Sequence, residues 1–162
     1  MKKILLSLLA LFIFNVNINA QDVYNAIRSK ALLSASDPSG NPMLKKFNQF
    51  KVDALDYMAI KMKEQMPDST ATFLDKQAFA MNNFINLYMQ NIVDTQNQPA
   101  NYQIYIIKIF MDASYSNPLF NDPDKELVLS YYSDGNSLTR FSLDTDWRRA
   151  IIAASMQLKK LQ

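Results

Sequence analysis

The sequence predicts an all-α fold, a compact bundle of about five to six helices. Glycine occurs only at Gly40 and Gly135 in the 162 residues, and apolar residues recur at spacings of three and four. Tracts rich in proline, asparagine and serine divide the chain into segments of helical length. The scarcity of glycine also excludes glycine-rich loops that bind phosphate or dinucleotides.

The first twenty residues are typical of a bacterial secretory signal peptide. Two lysines precede the eleven-residue apolar run Ile4–Phe14, which is shorter than the ~20 residues that cross a bilayer. Ala20 supplies a small residue for cleavage before Gln21. We therefore expect residues 21–162 to form a single domain, periplasmic or secreted, without a transmembrane span. An N-terminal membrane anchor is the alternative.

Composition restricts the chemistry that this domain can perform. The chain has 17 basic and 15 acidic residues, and the first twenty residues hold two lysines, so the trimmed chain is neutral. A neutral domain does not favour nucleic acid as a partner. The absence of cysteine and histidine excludes disulfides, thiolate or imidazole zinc sites, and catalytic triads built on histidine. No cofactor is expected.

Four helices are predicted before residue 115, over 23–35, 42–66, 70–93 and 99–114. Asn41 suits an N-cap with Pro42 in the first turn, and Pro67 ends the second helix. The third helix has only two charges, Asp75 and Lys76, so it is predicted to be central. The fourth is rich in β-branched and aromatic residues, which leaves a strand as its alternative.

The acidic segment from Asn121 to Trp147 contains the next prediction. Asp122 is expected to cap a helix over 123–133, followed by the helix-ending glycine at position 135. The alternative is an antiparallel hairpin over 126–143, because Asp–Gly also favours hairpin turns. This alternative changes the fold to α+β.

A last helix is predicted after Asp146, running to about residue 161 with Asp144 or Thr145 as its cap. Its buried stripe is expected to begin with Trp147, the only tryptophan. Arginines and lysines on its polar side also make it a modest basic amphipathic helix, a pattern typical of membrane surfaces.

The same acidic segment holds the candidates for a ligand-binding site. These residues combine carboxylates with aromatic rings, and they are Asp122, Asp124, Tyr131, Asp144, Asp146 and Trp147. Two converging carboxylates suffice for glycoside hydrolysis, and the rings suit stacking on a sugar. Helix capping explains the same aspartates without any catalysis, so no catalytic residue and no metal site are assigned.

The sequence therefore favours an exported bacterial protein that acts as a non-catalytic binding or interaction module of the cell envelope. The expected partner is another envelope protein, a peptide or a small apolar ligand. The alternative is a carboxylate-dependent glycan hydrolase.

Overall fold

The computed structural model describes residues 22–69, 71–133 and 140–161, which form helices and no strand. Five helices are long and two are single turns. They are α1 (Asp22–Ser36), α2 (Pro42–Gln65), α3 (Ala71–Asp94), α4 (Ala100–Tyr115), α5 (Lys125–Val128), α6 (Ser130–Ser133) and α7 (Trp147–Lys159). The predicted all-α fold is thus confirmed for these residues. The predicted signal peptide and the Asp–Gly turn at 134–135 lie outside them.

The first four helices begin and end within one residue of their predicted limits, because local signals determine them. The Asn41 side chain accepts the N–H groups of Met43 and Leu44 at 2.9 and 3.3 Å. Pro42 occupies the first turn, where its missing N–H costs nothing. These two residues confirm the predicted start of α2.

The predicted continuous helix over 123–133 is wrong, since α5 and α6 are separate turns that break at Leu129. The carbonyl of Val128 accepts the N–H of Leu143 at 2.9 Å. In a continuous helix, this carbonyl would accept an N–H group from the next helical turn. Here a distant segment of the chain supplies the N–H group instead. The hairpin alternative is also wrong, because the described residues of 126–143 contain no strand.

Helix α3 lies at the centre of the bundle, as predicted, in contact with α1, α2, α4 and α7. Helix α1 packs on α2 and α3, whereas α7 packs between α3 and α4. One side of α3 therefore faces the groove between α1 and α7.

An aromatic cluster fills the core between these helices. Trp147 is fully buried, with its ring centre 5.4 Å from that of Phe84 and 5.9 Å from that of Phe50. The rings meet mostly edge to face, the arrangement that aromatic quadrupoles favour. The predicted burial of Trp147 is confirmed, and the residue anchors the start of α7 in the core.

Helix α4 is not buried all round, because Ile104 and Tyr105 are exposed on its outer side. In the described part of the chain, no helix combines the length and apolarity needed to cross a membrane.

Candidate functional site

Asp122 is a buried structural residue in the structure. Its carboxylate accepts hydrogen bonds from the Tyr57 hydroxyl and the Lys61 ammonium, both at 2.9 Å, and from the N–H of Asp124 at 3.0 Å. The Lys61 ammonium holds the pKa of the Asp122 carboxyl below its usual range. Asp122 is 2% exposed, so it connects α2 to the segment before α5 and offers no open oxygen to a ligand.

Asp144 also binds its own chain. One carboxylate oxygen accepts the N–H groups of Leu119 and Phe120 at 3.0 and 2.8 Å, and the other accepts that of Asp122 at 2.9 Å. Its exposure is 2%. Asp144 and Asp122 are thus brought together, but through the backbone of one loop rather than across a cleft.

Two other aspartates act as helix caps, although sequence reasoning chose their neighbours for this role. Asp124 accepts the N–H of Leu127 in α5 at 3.0 Å, and Asp146 accepts the N–H groups of the two arginines that follow Trp147. The predicted caps Asp122 and Asp144 are wrong because both carboxylates bind more distant partners. The Gln77 side-chain amide also donates a hydrogen bond to the Asp146 carboxylate, at 2.9 Å.

The two aromatic candidates are also held by the core. The Tyr131 hydroxyl donates to Asp53, and its ring lies edge-on to Phe50 at 5.0 Å. Trp147 has no exposed surface. Trp147 therefore offers no ring face to a sugar, and the Tyr131 ring is half-buried. Among the described residues, no cluster of acidic side chains is arranged to hold a metal ion.

An open apolar groove lies elsewhere on the bundle, and we name it the α3–α7 groove. It has a volume of about 700 Å³ between α3, α7 and the start of α1. Its lining residues are Val23, Thr72, Asp75, Lys76, Phe79, Ala80, Asn83, Arg148, Ile151 and Ile152. Phe79 is 58% exposed on one wall and Ile152 is 61% exposed on the other. The groove thus presents two large apolar side chains to solvent.

Positive charge accompanies this apolar lining. Lys76 stands on the α3 wall and Arg148 on the α7 wall, and neither has an ion-pair partner among the described residues. The single acid of the lining, Asp75, accepts the N–H of Tyr24 at 2.9 Å. The Asp75 carboxylate therefore helps to fix the start of α1.

Sequence reasoning missed this groove, although a signal for it exists. At the usual 100° per residue, Phe79 falls on the face of α3 opposite to Leu74 and Met81. By the same spacing, Ile152 falls on the face of α7 opposite to Trp147. Large apolar residues on otherwise polar faces indicate contact surfaces. Helix α3 carries several asparagine and glutamine side chains, and of these only Asn83 lines the groove.

A buried amine is the second feature that the sequence did not reveal. Lys51 of α2 is 7% exposed, and its ammonium donates to the Asn82 side chain of α3 at 2.8 Å. Burial and, to a smaller extent, the charge of Lys30 on α1 together lower the pKa of Lys51 to about 8. Lys51 thus adds an energetic cost to the packing of the first three helices.

Comparison with protein-family models, curated proteins and solved structures found no match to this chain. The chemistry and geometry of its own residues are therefore the basis for assigning its function.

Proposed function

We propose that this protein is an exported, non-catalytic binding module of the bacterial cell envelope, and that its α3–α7 groove binds another protein. The observation that carries the proposal is the exposure of Phe79 and Ile152 on facing walls of an open groove. Export is supported by the lysine-led apolar run at the N-terminus.

The energetics of the groove support binding. Full burial of a phenylalanine or isoleucine side chain contributes ~1.5–3 kcal/mol, so a partner that covers both residues gains several kcal/mol. Single exposed apolar residues are ordinary, whereas grouped ones mark interaction surfaces. Phe79 and Ile152 line the same groove, together with the half-buried Ile151.

The state of the acidic residues also supports binding rather than turnover. A glycan hydrolase needs two carboxylates that reach the substrate from an open cleft. Asp122 and Asp144 are instead buried and occupied by hydrogen bonds from the protein itself. The positions of these two carboxylates therefore do not support the hydrolase alternative.

The test is gentle purification from the native envelope followed by native mass spectrometry. We expect wild type to carry a reproducible protein partner that a Phe79→Asp, Ile152→Asp double variant loses. Leu33→Asp is the matched control, because Leu33 is 75% exposed on α1 and does not line the groove. Equal partner retention by the double variant and wild type would contradict the proposal.

Export needs a separate measurement. We expect the intact mass of the protein isolated from its own cells to correspond to a chain that begins at Gln21. Recovery of the uncut chain from the cytosolic fraction would contradict export, without bearing on the groove.

A further inference from the structure

We propose that the partner inserts an amphipathic helix into the α3–α7 groove, with its apolar stripe flanked on both sides by aspartate or glutamate. This inference rests on the proposed function and specifies the chemistry of the partner. Two features of the groove lead to it, namely its shape and the position of its charges.

The shape of the groove favours a helix. Two helices form its walls, with Phe79 and Ile152 at the edges and the small Ala80 lower on the α3 side. An amphipathic helix binds such a groove through apolar residues repeated at spacings of three, four and seven. The partner helix then packs along α3 and α7 as an additional member of the bundle.

The charges identify the flanks of that helix. Lys76 and Arg148 place one cation on each wall, with no ion pair to either among the described residues. The one acid of the lining, Asp75, accepts the N–H of Tyr24, so the lining keeps an excess of positive charge. Arg148, Ile152 and Lys159 share one side of α7, because their spacings are four and seven. Helix α7 contains no acidic residue. Acidic side chains on both flanks of the partner helix therefore complement the two walls.

Two other occupants fit less well. A second copy that packs α7 symmetrically against α7 brings the cations of both helices together, which costs free energy. A lipid bilayer is broad and flat, so it covers the exposed Phe79 and Ile152 and leaves the more buried Ala80 and Ile151 without a partner. An acidic amphipathic helix contacts all four residues and also matches the two cations.

Three labelled peptides of about 18 residues, or five helical turns, provide the test. The first carries a leucine stripe flanked by glutamates, the second has lysines in place of the glutamates, and the third is a scrambled version of the first. Fluorescence anisotropy with the full chain, as isolated, measures the affinity for each. We expect the acidic peptide to bind at least ~10-fold more tightly than the other two, and more weakly as salt rises.

Charge reversal provides the matched variants. A Lys76→Glu, Arg148→Glu variant is expected to lose ~10-fold or more in affinity for the acidic peptide and to gain affinity for the basic one. Lys46→Glu and Lys63→Glu are the controls, because both residues are exposed on α2 away from the groove. Circular dichroism establishes that every variant is folded.

Several results would overturn the inference. They are equal binding of the acidic and basic peptides, equal binding of the scrambled peptide, or binding of anionic phospholipid vesicles without binding of any peptide. Self-association that Ile152→Asp abolishes, without peptide binding, would also overturn it. If the envelope partner is lost from the Phe79→Asp, Ile152→Asp variant while the acidic peptide fails to bind, the inference fails and the proposed function stands. An unaffected envelope partner contradicts the proposed function itself.

Discussion

Replacement of Asp144 by asparagine tests whether the acidic residues of 121–147 build the fold. The asparagine oxygen can still accept the N–H groups of Leu119 and Phe120. Its amide nitrogen then faces the N–H of Asp122, which now points at a donor instead of a carboxylate oxygen. An unsatisfied buried donor costs ~1–3 kcal/mol, and loss of charge weakens the two remaining bonds. We expect Asp144→Asn to lower the free energy of unfolding by about 2–4 kcal/mol.

Urea unfolding followed by Trp147 fluorescence measures this loss, because the ring is fully buried and is the only tryptophan. Asp124→Asn is the matched control, since Asp124 is an exposed N-cap and asparagine caps helices about as well as aspartate. The control is expected to change stability by less than ~0.5 kcal/mol. A loss for Asp144→Asn no larger than that of the control would refute the structural role assigned to Asp144.

Two further predictions concern buried polar groups, and urea unfolding checks both. The pKa of Lys51 is about 8 in the folded chain and 10.5 when unfolded, so the unfolded state binds more protons between those values. The free energy of unfolding of wild type should therefore rise by up to about 3 kcal/mol as pH rises from about 8 to 10.5. Lys51→Met has no buried charge, so its free energy of unfolding at pH 7 should already include most of this increase. The exposed control Lys46→Met should show no such increase. A pH profile that is the same for Lys51→Met and wild type would contradict this. The buried Tyr88 hydroxyl has no hydrogen-bond partner in the described part of the chain, so Tyr88→Phe should be neutral or stabilising by ~1 kcal/mol. A clear loss of stability in Tyr88→Phe would contradict this prediction.

Local signals made the helix boundaries predictable. Asn41, Pro42 and Pro67 act within one turn of the chain, and the structure follows them at the limits of α2. The division between α5 and α6 was not predictable in this way, because it depends on a bond from Leu143 to Val128. Periodicity and caps describe a helix in isolation, and this region is determined by contacts between distant segments.

The roles of the candidate site residues show the same limit. Asp122 and Asp144 stand where helix caps are common, yet their partners include Tyr57, 65 residues before Asp122, and Leu119, 25 residues before Asp144. Only the folded chain reveals these pairs. The groove depends on Phe79 and Ile152, which belong to helices far apart in sequence, so their proximity was not visible from either helix alone.

Amide hydrogen exchange of the protein with and without its envelope partner shows whether the α3–α7 groove is the binding surface. We expect added protection along the groove walls, at 72–83 of α3 and 148–152 of α7. Added protection confined to the described acidic residues 121–133 and 140–146, with none along the groove walls, would contradict it.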